Sequence, residues 1–237
     1  LALYDTVENH VATQLERGRL CLVEIDSFHL PDTAGVTYHL AHGKTTIGIN
    51  RLDPDARRLE YFHNAGYYGL SGDGYPFVFQ HHVDPALRWI PYTQVAHFPA
   101  TPATPAHQRE VATALLARHL ARRPASNPLP AFAAAFPSQV ERVAERGIDF
   151  FHLYAFNTVR QFGANFELLS SHLAWLDADR FAAEAAAARA ICDNAKTTQF
   201  MLARAVARQR FAPLASALDP AVDAWDALFA GLDAKVG

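Results

Sequence analysis

The sequence predicts an α+β protein in which a β-rich half precedes a helical bundle. Three observations support this fold class: alternating apolar and polar residues early in the chain, a proline-rich stretch, and apolar residues at helical spacing beyond it. We expect a β-rich half over residues 1–98, a connector over 99–106, and a helical bundle over 107–237 that packs on the same domain. The chain has 237 residues, enough for one large domain or two small ones.

The N-terminal region predicts a short helix followed by a strand. Val7, Val11 and Leu15 recur at helical spacing, and Gly18 stands where such a helix would stop. The run from Leu20 to Ile25 is mostly apolar and predicts a strand. Because strand side chains alternate between two faces, we expect one face with Cys21, Val23 and Ile25 and another with Leu22, Glu24 and Asp26.

A hairpin is predicted from Lys44 to Tyr68. The runs KTTIGI and RRLEYF alternate as strands do, and Asp53-Pro54-Asp55 is typical of a turn between them. The stretch PFVFQHHV is a further possible strand. The segment FPATPATPA then predicts an extended connector, and the alanine-rich remainder predicts a bundle of four or five helices.

Composition and charge exclude several classes of protein. Lys and Arg number 21 against 24 Asp and Glu, a net charge of −3, and no basic cluster is interleaved with aromatic residues, which argues against a nucleic-acid binder. No apolar run approaches the roughly 20 residues of a membrane span, and no signal peptide begins the chain, so we expect a cytoplasmic protein. Because the chain starts at Leu1 and not at Met, either its start was removed or it is part of a longer polypeptide.

His42 and Asn64 stand at the two ends of the predicted hairpin and are candidate catalytic residues. A histidine base needs a third group that holds its tautomer, and an asparagine can do this. Antiparallel pairing around Asp53-Pro54 would bring the start of one strand towards the end of the next, and so His42 towards Asn64. The alternative is that His42 is an exposed loop histidine and that Asn64 only belongs to a turn.

Polar side chains around the same hairpin are candidate substrate-binding residues. The loop before it is dense in polar and aromatic groups, as expected of a loop that lines a pocket. Lys44 would bind a carboxylate or phosphate, or pair with Asp26, and an ordinary surface ion pair is equally compatible with the pattern. The candidates are Asp26, Asp32, Tyr38, Lys44, Thr45 and His63.

Signals for metal and cofactor binding are weak. Convergence of His63, His81, His82 and His97 would permit a metal, but the sequence has no HExxH spacing and no cysteine pair, so we predict neither metal nor cofactor. Cys21 and Cys192 are expected to be buried thiols. In the helical half, polar residues among aromatic ones either face a pocket or form a solvated stripe: Asn157, Arg160, Gln161, Asn165 and Glu167.

The segments LVEIDSFHLPDTAGVTYHLAHGKTTIGI and RRLEYFHNAGYY resemble a bacterial family known as domain of unknown function eighteen-thirty-nine. This resemblance is specific over Leu22 to Tyr68. More distantly, the order of strand, Asp-Pro loop, tyrosine and histidine is similar to papain-like acyltransferases of the butirosin-biosynthesis type and to papain-like cysteine peptidases. That similarity implies a papain-like antiparallel sheet, His42 as the base and Asn64 as its orienter. It implies a cysteine on an upstream helix, for which neither Cys21 nor Cys192 is a fitting counterpart.

The resemblance also implies a substrate class. Family members tend to be encoded beside carrier proteins and ligases that load amino acids onto them, which implies an acyl or aminoacyl thioester on a phosphopantetheine arm. We therefore expect an acyltransferase or thioesterase, with a peptidase or amidase using the same residues as a variant. The competing hypothesis is a non-catalytic accessory protein that binds a carrier protein or its ligase. Carrier proteins are usually acidic, so its expected docking patch is basic: Arg118, Arg122 and Arg123.

Overall fold

The computed structural model describes residues 5–99 and 101–236. The chain divides into two compact units, Leu1–Pro102 and Ala103–Gly237. The first unit contains an antiparallel sheet and the second is helical, so the chain is α+β as predicted.

The first unit is built around a five-stranded antiparallel sheet with the order β4-β3-β2-β1-β5. The loop between β1 and β2 contains two short 3₁₀ turns, Ser27–His29 and Pro31–Thr33. The elements, in chain order, are α1 (Val7–Glu16), β1 (Leu20–Asp26), β2 (Lys44–Asp53), β3 (Arg58–His63), β4 (Gly66–Ser71), α2 (Tyr75–Val78) and β5 (Thr93–Ala96).

The sheet has one buried face. Cys21 lies opposite Ile49 and Val23 opposite Ile47, and paired residues of an antiparallel sheet share a face. Val11 of α1 is buried in the same apolar cluster as these strand residues. The predicted alternation of β1 is confirmed, since Cys21, Val23 and Ile25 are buried while Leu22, Glu24 and Asp26 are only partly so.

One local prediction in the first unit was wrong, and one strand was not predicted. The stretch PFVFQHHV is not a strand, because its first three residues belong to α2, the rest of it is turn, and Tyr75, Val78 and Phe79 are buried at helical spacing. The edge strand β5 was missed, because four residues are too few to show a period and its position is set by pairing with β1. The predicted turn is present, and the Asp53 carboxylate accepts the backbone N–H of Ala56 at 2.9 Å.

The second unit contains six α-helices in the part that the structure describes, against the four or five expected. Gly147, with φ 90°, separates α4 from α5. No helix in the described ranges is long and apolar enough to cross a membrane. The elements are α3 (Pro105–Leu120), α4 (Leu129–Glu145), α5 (Ile148–Ala155), a π-helical turn (Phe156–Arg160), α6 (Gln161–Asp177), α7 (Ala182–Arg208) and α8 (Asp219–Val236).

Candidate catalytic site

His42 forms a dyad with Asp26 at the edge of the sheet. Asp26 is the last residue of β1, and His42 lies two residues before β2, which runs back beside β1. The Nδ1 atom of His42 is 2.6 Å from Oδ2 of Asp26, and the imidazole side chain is 73% exposed. An exposed imidazole held through Nδ1 by a carboxylate has the arrangement of a histidine base.

The backbone holds the Asp26 carboxylate in place. Its Oδ1 atom accepts N–H groups from Phe28 at 3.0 Å and from Gly43 at 3.1 Å, which leaves Oδ2 for His42. Partial burial raises the pKa of Asp26, but the hydrogen bonds from His42, Phe28 and Gly43 outweigh it, and the net pKa is lowered. Asp26 is therefore poised to stay ionised beside the imidazole.

Aromatic rings lie on one side of the dyad, in the loop between β1 and β2. The ring of Phe28 stacks on His42 with centroids 4.4 Å apart and an interplanar angle of 13°, and it also contacts His29 and His39. Tyr38, a predicted substrate-binding residue, stacks on His39 at 4.1 Å. These rings give the loop between β1 and β2 a partly apolar surface next to the exposed imidazole.

Lys44 continues the polar edge on the same face of the sheet as Asp26. Its register partner is Asp26, but its Nζ atom is 2.7 Å from Oε1 of Glu24. Of the alternatives for Lys44, the structure therefore shows an ion pair with a neighbouring glutamate. The ammonium group is largely exposed and stays accessible to an anionic part of a substrate.

A second histidine–carboxylate pair is buried on the opposite face of the same sheet. Nδ1 of His63 is 2.5 Å from Oδ2 of Asp32, and each side chain is 3% exposed. Oγ1 of Thr45 is 2.8 Å from Nε2 of His63, and the Tyr61 hydroxyl donates to Oδ1 of Asp32 at 2.5 Å. Burial and the hydrogen bond to Asp32 raise the pKa of Tyr61, so its hydroxyl keeps its proton. This network ties the 3₁₀ turn that carries Asp32 to strands β2 and β3.

Asn64 belongs with the buried pair and not with His42. It lies in the turn between β3 and β4 with φ 51°, and its Nδ2 atom is 3.4 Å from Nε2 of His63. The pairing of Gly48 with Phe62, continued along the strands, places Asn64 level with Thr46, roughly 13 Å along β2 from His42 at about 3.3 Å per residue. The expected contact between His42 and Asn64 is therefore not observed, because this register separates the two residues along the strand direction. His42 contacts Asp26 instead, and Asn64 lies beside His63.

Three residues that were not predicted from the sequence also contact side chains of the candidate site. Phe28 supports the His42 ring, Tyr61 binds Asp32, and Glu24 binds Lys44. The alternation of β1 already placed Glu24 and Asp26 on one face, which is the signal that favours them as partners of side chains at the start of β2. The contacts of Phe28 and Tyr61 depend on how the loop folds back, which no local pattern indicates.

The cysteines do not provide a nucleophile for His42 in the described parts of the chain. Cys21 faces the buried side of β1, and burial raises the pKa of its thiol. Cys192 lies inside α7 and is fully buried. Nor does any group of three or more His, Cys, Asp or Glu within residues 5–99 and 101–236 have the arrangement of a metal site, and His63 and His81 bind separate carboxylates.

Family models match both units of the chain. The DUF1839 N-terminal domain matches residues 1–98, and the DUF1839 C-terminal domain matches residues 105–234. The chain belongs to the DUF1839 family. No curated protein matches it. The Asp26–His42 and Asp32–His63 pairs both lie within the part of the chain that the DUF1839 N-terminal domain covers.

Proposed function

We propose that this DUF1839 protein is a papain-like acyltransferase or thioesterase that acts on an acyl or aminoacyl group carried by a phosphopantetheine carrier protein. The observation that carries the proposal is the Asp26–His42 dyad, an exposed imidazole oriented by an ionised carboxylate. The start of a central strand is also where the resemblance to papain-like acyltransferases puts a catalytic histidine. Asp26 takes the orienting role that the resemblance assigned to Asn64.

The proposed reaction uses His42 first as a base and then as an acid. Nε2 removes the proton of the attacking group, which adds to the thioester carbonyl. The C–S bond then breaks, the acyl group stays on the attacking group, and the leaving thiolate takes the proton from the imidazolium. Asp26 stabilises that imidazolium through Nδ1. Because both cysteines of the described chain are buried, we infer that the attacking group is not one of these two thiols but a thiol from outside the described residues, an acceptor nucleophile or water.

The neighbours of the dyad suit such a substrate. Phe28 and Tyr38 offer ring faces to the acyl or amino-acid side chain, and Lys44 offers a cation to its anionic parts. The Asp32–His63 network, with Thr45 and Asn64, holds the loop on which these groups stand, since Asp32 belongs to that loop and His63 to the sheet. Asp32, Thr45, His63 and Asn64 thus act as positioning residues in this proposal.

The His42→Ala variant tests the proposal. With the full chain and aminoacyl thioesters of a carrier protein, we expect turnover by the native protein and a loss of about 10²–10⁴-fold in the variant, the usual contribution of a general base. Release or transfer of the acyl group would be followed by mass spectrometry of the carrier. The matched control is His107→Ala, because His107 is also an exposed histidine beside a carboxylate, that of Glu110 at 3.3 Å. Equal turnover by native protein and His42→Ala would rule out the proposed base.

A second function, non-catalytic docking of an acidic carrier protein or its ligase, is favoured by one observation. Arg118 and Arg122 are exposed at the end of α3, and no carboxylate of the described residues forms an ion pair with them. Arg123 differs, because it binds Asp233 and donates to the Leu120 carbonyl. The predicted basic patch is therefore reduced to two available arginines.

Charge reversal at those two arginines tests the docking function. If this surface binds an acidic carrier, Arg118→Glu with Arg122→Glu should weaken carrier binding at least tenfold at low salt, because two attractive contacts become repulsive. Binding would be measured by calorimetric titration with a carrier protein. Arg17→Glu, an exposed arginine of the first unit, serves as the control. Unchanged carrier affinity in the double variant would exclude docking at this patch.

A further inference from the structure

The second unit contains an open groove between the π-helical turn and α7. Its volume is about 600 Å³, within the range of small-molecule sites. One wall comes from α5 and the π-helical turn, and the other from α7. The groove lies wholly within the helical unit and shares no residue with the Asp26–His42 dyad.

Aromatic rings form the apolar part of this groove. Phe151 is buried at its base, whereas Phe156 is 46% and Phe200 is 78% exposed. The rings on both sides of the groove expose apolar surface to water, which is unfavourable. An apolar ligand between them would bury part of that surface. The groove is therefore suited to the apolar body of a ligand.

The charged side chains that line the groove are cationic. Arg160 lies over the ring of Phe156 at 5.0 Å, and Lys196 lies on the α7 side. No carboxylate is among the lining residues, although Lys196 has Glu167 at 3.4 Å and Glu167 also binds Arg189 at 3.0 Å. Arg160 has no ion-pair partner among the described residues, which makes it the principal anion-binding group of the groove.

The π-helical turn shapes the wall that carries Arg160. Asn157 donates to the Leu153 carbonyl at 2.9 Å and Thr158 to the Tyr154 carbonyl at 2.6 Å, so side chains satisfy backbone acceptors at the irregular turn. Single π-turns inside helices occur frequently at functional sites. Gly163, one turn later, lets α6 approach α7 closely, since a Cβ there would lie 2.9 Å from that of Ala195. The wall that continues into α6 is thereby packed closely against α7.

We propose that this groove binds an amphipathic carboxylate, with its apolar chain or ring between Phe156 and Phe200 and its carboxylate on Arg160. Lys196 provides a second, weaker contact because it is shared with Glu167. The ligand is a small molecule with one anionic group and an apolar part, which is either an alkyl chain of medium length or an aryl group. This site is separate from the proposed thioester chemistry and does not depend on it.

Calorimetric titration of the full chain with four probes tests the site. Octanoate and 4-phenylbutyrate distinguish alkyl from aryl bodies, and octanamide and 4-phenylbutanamide lack the charge. We expect saturable binding of at least one carboxylate and at least tenfold weaker binding of its amide, because a charged hydrogen bond is lost. Arg160→Gln should weaken carboxylate binding at least tenfold, and Phe200→Ala should weaken the carboxylate and the amide together. Arg142→Gln, at another exposed arginine of the second unit, should leave the dissociation constant unchanged.

Several outcomes would overturn this inference. They are the absence of saturable binding by either carboxylate, equal affinity for carboxylate and amide, and unchanged affinity in a folded Arg160→Gln variant. Sedimentation velocity of native protein and Phe200→Ala adds another test. If the native chain self-associates and the variant does not, the groove is an interface between copies of the chain and not a ligand site. Both substituted side chains are exposed, so circular dichroism should show native helicity in each variant.

Discussion

An Asp26→Asn variant is expected to retain its fold and to lose about 10³–10⁴-fold of the proposed thioester turnover, an effect of the size seen when a base histidine is held in the wrong tautomer. Asparagine can keep an oxygen where Oδ1 accepts the N–H groups of Phe28 and Gly43. Its amide nitrogen then replaces Oδ2 and faces Nδ1 of His42. Because an amide nitrogen only donates, Nδ1 must accept, and the imidazole proton moves to Nε2. An Nε2 atom that already carries a proton cannot remove one from the attacking group.

Two measurements separate this explanation from a structural one. Turnover of an aminoacyl carrier thioester gives the rate, and nitrogen NMR of the imidazole shows which nitrogen of His42 carries the proton. Asp84→Asn is the matched control, since Asp84 also caps a 3₁₀ turn by accepting the N–H group two residues ahead, at 2.9 Å, without binding a histidine. A rate for Asp26→Asn within threefold of the native rate would show that Asp26 does not orient a catalytic base.

Replacing His63 by alanine is expected to lower the free energy of unfolding by about 3–5 kcal/mol, the usual effect of leaving a buried carboxylate without its partner. The loss is large because Asp32 and His63 are each 3% exposed at a separation of 2.5 Å. Without His63, the Asp32 carboxylate keeps only the Tyr61 hydroxyl as its side-chain partner, and Thr45 loses its contact. Urea unfolding, monitored by circular dichroism, would give the change in stability.

The controls for His63 test burial as the cause. His81→Ala removes a histidine from a carboxylate at 2.6 Å, but that imidazole is 38% exposed, and we expect a loss nearer 1 kcal/mol. Combining His63→Ala with Asp32→Asn should cost less than the sum of the single changes, because no charge is then left buried without a partner. A loss below about 1 kcal/mol for His63→Ala would contradict the assigned role of this network.

The two predictions are linked through the loop between β1 and β2. Asp32 holds this loop to the sheet, and His42 stands at its end. A variant that breaks the buried pair should therefore impair positioning of His42 as well as stability, whereas Asp26→Asn should affect turnover alone. Comparing the melting and turnover of both variants distinguishes a positioning residue from one that contacts the reacting base.

The strands that carry the site were readable from local pattern. Alternation predicted the faces of β1, and the Asp-Pro turn predicted the hairpin. The elements that local pattern did not predict are short ones. The strand β5 has only four residues, and the apolar residues of α2 are compatible with a helix and with a strand. In the second unit, the π-helical turn was missed because its apolar spacing differs little from that of the helices on either side.

The sequence by itself determined the α+β class, the order of its parts and the set of polar residues around the hairpin, because periodicity and turn chemistry are local properties of the chain. Only the tertiary structure decided which of those residues are partners. The register of β2 and the alternation of its side chains put Lys44 on one face with Asp26 and Thr45 on the other with His63. As a result, the exposed His42 pairs with Asp26, whereas Asn64 lies beside His63 of the buried pair. Which side chains contact each other in a sheet depends on the strand register and on how the connecting loops fold back against the strands. Both are set by packing between residues that are distant in the chain.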